Sequence, residues 1–408
     1  MGLKSIIKSF GPGFIIAAVV LGPGSLTTAA KIGSTIGYDF LWVILIAAIS
    51  MIVYTNMSTR FGLMHNRSIL NVISEKYGRW LSMAIGISSF IATLSFQFGN
   101  NLGVGMGMET LTGINAGIWP IIFTFLAIIL IFYAKNLYKI LEKIMMYVVI
   151  IMILTFVVNL VFIKPDIVDI VNGFVPKPFS KDNLSELAAI AGTTFVLNSA
   201  LYQSYLVQNK GWGLADKAKA TRDSNLGIFL LALMTVFVIA TAASALKPFG
   251  ITINSASDMA IQLETLMGSY AKYIFAIGFS AAAFSSLLVN AVIGGGLLSD
   301  GLGLGQSMEQ KVPKIFTMII LLVGMGTAMY VASATGSPVY SLIMAQASSI
   351  MAVPLIAIGL FLVLNNKSIM GEHTNSGYQN ILSVIGFVLI CILVYIMYDR
   401  LIGYLSSL

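Results

Sequence analysis

The sequence has little charge. Asp, Glu, Lys and Arg make up 10% of 408 residues, against about 25% in a soluble domain. It has one cysteine, Cys391, so neither an intramolecular disulfide nor a cysteine metal cluster can form. It has two histidines, His65 and His373, both in segments that read as loops. No nucleophile–base–acid constellation is visible, so the chain is not read as an enzyme, and nothing calls for a cofactor. There is no Pro- or Ser-rich linker and no low-complexity tract, so residues 1–408 read as one domain. The glycine-rich stretch 290–305 has no Gly-Lys-Ser/Thr and follows no strand, which excludes a phosphate loop. Close helix packing accounts for it, and for 103–113. The start runs directly into an apolar span without a cleavable-looking signal.

What is abundant is apolar sequence. Hydrophobic residues make up 58%, and the mean hydropathy is +0.92. Runs long enough to cross a hydrocarbon core of about 30 Å recur throughout. A barrel would instead show short alternating segments. The fold class is an all-α polytopic membrane protein. Eleven spans are expected, near 12–35, 40–61, 80–110, 116–134, 142–163, 184–207, 225–246, 270–297, 314–333, 340–364 and 379–403. With the N-terminus inside, 16 Lys and Arg fall on the inner side and 6 on the outer side. The positive-inside rule then predicts a multi-pass plasma-membrane protein, N-terminus cytoplasmic and C-terminus extracellular. The net charge of +7 follows from these basic loops rather than from nucleic-acid binding. The expected partners are the lipid bilayer and a small-molecule or ion substrate. The oligomeric state stays open, and a monomer is compatible.

The first span is interrupted by Gly22-Pro23-Gly24-Ser25. Broken helices at membrane depth are tolerated where they line a cavity or are buried in protein. Paired breaks in corresponding halves mark a secondary transporter's site. Five spans later, residues 187–208 crowd Gly192, Thr193, Thr194, Asn198, Ser199 and Gln203 into one span. The spacing predicts two inverted five-helix repeats, about 12–163 and 184–364, with an eleventh helix at 379–403. Spans 1 and 6 are both expected to break, the sixth at Gly192 and its neighbouring hydroxyls.

At this point several motifs coincide. "GPGF" at 11–14, "GSTIGYDFLWV" at 33–43, "STRFG" at 58–62, "LVQNK" at 206–210 and "IMGEHTNS" at 369–376 resemble the NRAMP family of proton-coupled divalent-metal transporters. That resemblance implies the leucine-transporter fold. It also implies where a site would be, and there the residues depart. The family's Asp-Pro-Gly-Asn break is Gly22-Pro23-Gly24-Ser25 here. The positions of its sixth-span carbonyl and thioether ligands hold Thr193 and Val196. Its two sixth-span histidines fall on Asn198 and Gln203. Its third-span acidic pair falls on Gln97 and Asn100. Gln346 matches a polar residue that joins the family's site.

Transition metals prefer imidazole, carboxylate or sulfur donors. No Asp or Glu is expected near mid-depth, and Glu109 falls near an outer end. The former proton-path positions Gln97, Asn100, Asn198 and Gln203 cannot titrate, though all hydrogen-bond in both senses. They serve a polar site, or they satisfy one another between helices. The start of the half-helix at Gly22, Gly24 and Ser25 offers N–H groups and a positive dipole end. Two main readings follow. One is a site repurposed for a small polar solute, anionic or zwitterionic ones included, built from Gly22, Gly24, Ser25, Thr193, Thr194, Val196, Asn198 and Gln346. The other is a divalent cation, Mg²⁺ or Mn²⁺, held by carbonyls, amides and hydroxyls. A sensor or scaffold without transport is a third. Lys31, alone among basic residues well inside a span, is either an internal cation or a side chain snorkelling to the interface.

Overall fold

The computed structural model describes residues 11–406 apart from 134–142, 144–146, 148–149, 152–153, 155, 159, 179, 181–182, 262–267 and 334–337. The first span consists of α1 (Pro12–Val20) and α2 (Pro23–Thr35), which meet at a 56° bend. Then come α3 (Leu41–Met64), α4 (Ile69–Tyr77), α5 (Arg79–Thr112), α6 (Trp119–Tyr133) and α7 (Ile167–Gly173). The sixth span is α8 (Leu184–Thr194) and α9 (Leu197–Lys210). It is followed by α10 (Lys217–Ala245), short α11 (Ala256–Ile261), α12 (Ala271–Gly301) and α13 (Lys311–Ser333). The chain closes with α14 (Pro338–Ser349), α15 (Pro354–Asn365), α16 (Lys367–Met370) and α17 (Gly377–Ser406). Among the described residues, eight crossings are long enough and apolar enough to span a bilayer, and the bent pair makes a ninth. The fourth expected span is the apolar α6. The fifth, at 142–163, lies partly outside the described residues.

The helices break where the backbone ladder loses a partner. Pro23 has no N–H to donate, and Gly22 precedes it in extended conformation at ψ 177°. The sixth span was expected to unwind at Gly192. It unwinds instead at Phe195 and Val196, whose ψ values are 73° and 84°. The reason is local. The Thr193 and Thr194 hydroxyls bond back to Ile190 O at 3.0 and 2.9 Å and stay within the helix. The two non-helical positions go to an aromatic and a β-branched residue, both weaker helix formers than Ala or Leu. The tenth span is also interrupted. A 3₁₀ turn at Ile350–Ala352 precedes Pro354 at the start of α15.

Two helix contacts position the site. α5 and α12 run antiparallel with small residues in register. A Cβ on Gly86 would meet Leu297 and Gly301, and a Cβ on Gly103 would lie 3.5 Å from Ala283. α1 crosses α10 through glycines. A Cβ on Gly13 would strike the Asp223 backbone, and a Cβ on Gly227 would strike Gly13. Backbone therefore faces backbone at this crossing.

Candidate functional site

At the first break, Leu21 N donates to Ala17 O at 2.9 Å, and the ladder resumes with Leu26 N on Gly22 O at 3.1 Å. The carbonyls between are released. Val19 O accepts from Ser286 Oγ of α12 at 2.6 Å, and Val20 O accepts from Ser25 Oγ. At the second break, Phe195 N reaches Ala191 O at 2.8 Å, and the ladder resumes with Ala200 N on Val196 O at 3.1 Å. The carbonyls from Gly192 to Phe195 leave the ladder between these bonds. Each break thus offers the negative end of one half-helix and the positive end of the next.

Gln346 of α14 lies between the two breaks. Its side-chain amide occupies the place that a Cβ on Gly24 would need, and its backbone carbonyl O lies 3.1 Å from the corresponding point on Gly192. A Cβ on Gly22 would sit 2.7 Å from Ser286 Oγ and 2.8 Å from Asn100 Oδ1. The volume of an acidic side chain at this position is therefore filled by a hydroxyl and an amide. Behind it, Asn290 Nδ2 donates to Gln97 Oε1 at 2.9 Å and to Thr93 O at 3.0 Å. Asn198 Nδ2 donates to Thr93 Oγ1 at 3.1 Å. These residues are buried, Asn100, Asn198 and Gln346 at 1% exposure.

The structure thus brings together Gly22, Gly24, Asn100 and Gln346, with Gln97 and Asn198 behind them. Other expected residues are committed elsewhere. The hydroxyls of Ser25, Thr193 and Thr194 are bonded to carbonyls of their own spans. Val196 supplies backbone at the break and is buried at 3%. Gln203 Nε2 donates to Ser224 Oγ of α10 at 2.9 Å, which in turn meets Thr59 Oγ1 at 3.0 Å. Lys31 is half-buried, and its Nζ donates to Ile253 O at 3.3 Å. It is neither free inside the site nor free at the interface. It holds the segment before α11, whose Met259 Sδ accepts from Thr27 Oγ1 at 3.3 Å.

Several polar atoms in the cluster have no hydrogen-bond partner: Asn100 Nδ2, Gln97 Nε2, Asn101 Nδ2 and Gln346 Oε1. An amide can turn over to present oxygen or nitrogen. Among the described residues, no group of three or more His, Cys, Asp or Glu could hold a metal. What converges is neutral, made of carbonyl and amide oxygens with a few N–H donors.

Ser286 and Asn290 were not among the expected site residues. Their signal was present, since two polar residues four apart share one helix face in an otherwise apolar span. Two carboxylates were also placed outside the spans by the sequence. Asp223 and Asp300 lie on α10 and α12 because those helices run past their expected ends, and they are 4% and 6% exposed.

Comparison with known proteins gives the family and the fold. The model for natural resistance-associated macrophage protein-like (Nramp) sequences matches residues 13–398. The chain is 26% identical to the divalent metal cation transporter MntH of Caldanaerobacter subterraneus, covering 94% of this chain and 90% of that one. It is 24% identical to MntH of Deinococcus radiodurans, covering 98% and 92%. A crystal structure of the Eremococcus coleocola manganese transporter superposes with a TM-score of 0.81 at 16% identity, covering 99% of this chain and 90% of that one. Mhp1, a nucleobase-cation-symport-1 transporter, superposes at 0.55 with 12% identity, covering 98% and 93%. The fold is that of the leucine transporter. Two interrupted helices that meet at one buried polar cluster, on a chain matched almost from end to end, make this protein a member of the NRAMP family of membrane transporters.

Proposed function

We propose that this protein is a secondary transporter for a hard divalent cation, Mg²⁺ ahead of transition metals, working by alternating access. The observation that carries the reading is the donor set. Carbonyls released at both breaks lie beside the Gln346 and Asn100 amides, and among the described residues no group of three or more His, Cys, Asp or Glu joins them. Oxygen donors suit hard cations, and thioether or imidazole suits softer ones. The relatives are named as divalent metal cation and manganese transporters, which supports a divalent cargo. With no carboxylate in the cluster, a bare double charge would be costly. Mg²⁺ keeps several of its waters when bound, which spreads that cost. The basic end of the bundle is cytoplasmic in this reading, and residues 12–163 and 184–364 are the inverted repeats that rock against each other.

One observation favours a second cargo. The unpaired N–H groups of Asn100 and Gln97, beside the N-terminus of α2, suit an anionic or zwitterionic solute. Proteoliposomes holding Mg²⁺- and Mn²⁺-sensitive dyes separate the two. Saturable Mg²⁺ entry, weakly inhibited by Mn²⁺, is the expected result. Absence of entry for both ions would overturn the reading and leave the organic solute.

A further inference from the structure

α3 and α10 run antiparallel. Tyr38, just before α3, meets Ser244 Oγ at 2.7 Å, and near the other end Thr59 Oγ1 meets Ser224 Oγ at 3.0 Å. Between these bonds lies a cavity of about 750 Å³. Ile44, Ala48 and Ile52 of α3 form one wall, and Phe229, Leu233 and Val236 of α10 form the other. Leu160, Val161 and residues of α7 line the rest, and every lining residue except Lys164 is apolar. Sites for small organic molecules measure about 300–1,000 Å³, so a hydrocarbon chain fits here.

A second cavity, of about 900 Å³, lies toward the start of α10, and Phe229 lines both. The walls change character there, to Lys217, Thr221, Arg222 and Asn225. One face of α10 carries the whole change. Ala218, Arg222, Leu226, Phe229, Leu233 and Val236 recur at steps of three and four. Lys217 and Arg222 are exposed, and among the described residues neither belongs to an ion pair. The other charges on this stretch are engaged. Asp216 accepts from Gly213 N at 3.2 Å, Asp223 accepts from Gly13 N at 2.7 Å, and Lys219 Nζ lies 4.9 Å from the centre of the Trp212 ring. At the far end of the groove the balance reverses. Lys164 stands there close to Asp166, the N-cap of α7, and Asp169 in its first turn. An anionic group is therefore favoured at Lys217 and Arg222 and disfavoured at Lys164.

We propose that this groove binds one anionic phospholipid, its phosphate between Lys217 and Arg222 and one acyl chain passing Phe229 into the cavity between α3 and α10. Arginine matches phosphate as a planar fork, and lysine as a point charge. The dimensions agree. Arg222 to Val236 spans about 21 Å of helix, and half a bilayer with its headgroups is about 20–22 Å thick. Phe229, 57% exposed, is covered by the chain. The site is separate from both helix breaks and does not depend on which cargo they bind.

Phe229→Trp puts a fluorophore at the junction of the two cavities. The purified full chain is reconstituted in phosphatidylcholine vesicles that contain bromine-labelled chains on either phosphatidylglycerol or phosphatidylcholine. The labelled phosphatidylglycerol is expected to quench the added fluorescence, measured against wild type, at an about 10- to 30-fold lower mole fraction, from two basic contacts. Lys217→Gln with Arg222→Gln should make the two lipids equal. Lys311→Gln with Lys314→Gln, on a different basic helix start, should keep the preference. A preference that survives without Lys217 and Arg222, or that either pair of substitutions removes equally, overturns the proposal, the second outcome reducing it to attraction by the basic surface as a whole. Equal quenching by the two lipids in the Phe229→Trp protein also overturns it. Glycerol 3-phosphate, which has no chains, should fail to displace the labelled lipid. Displacement would leave a headgroup pocket alone and overturn the path of the chain. Melting of each variant in detergent, expected to match the Phe229→Trp protein, shows that the lipid effect is not a folding defect.

Discussion

The backbone N–H of Gly13 donates to Asp223 Oδ2 at 2.7 Å across 210 residues of sequence. Gly13 is in the first turn of α1, where orphan N–H groups and the helix dipole both favour a negative charge. The carboxylate therefore fastens the free end of a half-helix to α10.

Asp223→Ala should release α1 and open the site at the basic end. A hydrogen bond to a charged group contributes about 1.5–3 kcal/mol, so the open fraction should rise ~10- to 100-fold. Thiol labelling of Ser286→Cys, in a Cys391→Ser background, measures this. An unchanged labelling rate would show that Asp223 does not hold the closed form.

Gly24→Ala should abolish transport, because its Cβ would land in the Gln346 amide. Overpacking of this kind costs about 1–3 kcal/mol. Gln346→Ala removes the obstacle, so the double variant should fold more stably than Gly24→Ala alone. Additive losses of melting temperature in this double-mutant cycle would contradict the contact.

Gly22→Asp with Val196→Met should turn the site toward Mn²⁺. The pair supplies an anion and a soft donor. Ser286→Ala should be added to clear space, since Ser286 Oγ lies 2.7 Å from the Gly22 Cβ position. Mn²⁺ binding by calorimetry should tighten at least ~10-fold, about 1.4 kcal/mol. Unchanged selectivity would mean that cargo choice is made elsewhere.

Lys31→Met should leave transport largely intact and loosen the segment before α11. Loss of the 3.3 Å bond to Ile253 O should cost about 1 kcal/mol. Amide exchange at 251–261 should quicken ~5-fold. Complete loss of transport with normal exchange would instead make Lys31 an internal cation of the site.

His65 gives a pH dependence. Burial lowers its pKa below the usual histidine value, the bond to Ile369 O opposes that, and nearby Arg67 adds to it. Nε2 faces a carbonyl, so the neutral ring donates from that nitrogen. The folded state thus favours neutral histidine. Its contribution is complete above the unfolded value of about 6.5 and is lost as pH falls toward the lower folded value. Melting temperature should fall more between about pH 7 and pH 5 in wild type than in His65→Gln. Equal slopes would exclude His65 as the source.

The sequence was informative where chemistry is local. Gly22-Pro23 predicts its own break, since the missing N–H and the absent Cβ act within a turn. The second break was misplaced by a few residues, because Thr193 and Thr194 can compete for backbone or bond back to it, and only packing decides. Helix ends were short at Asp223 and Asp300 for a related reason. A hydropathy window stops at a charged residue, but a helix continues if that residue finds a donor. The carboxylates found Gly13 N–H and Tyr205, which are distant in sequence and invisible to a window. Lys31 was legible as unusual, and its partner Ile253 was not.

The glycine crossing of α1 and α10 has a mechanical consequence. Interlocked side chains resist sliding, because every knob must leave its hole before the next position is reached. Here backbone rests on backbone at Gly13, Asp223 and Gly227, so no side chain interlocks at that point of the crossing. Were Asp223 to let go of Gly13, these glycines would put no side chain in the way of α1 pivoting at this point, as a shaft turns in a plain bearing. A larger residue at Gly13 or Gly227 would put a tooth on that bearing, and the transporter would stall in whichever position the tooth allowed.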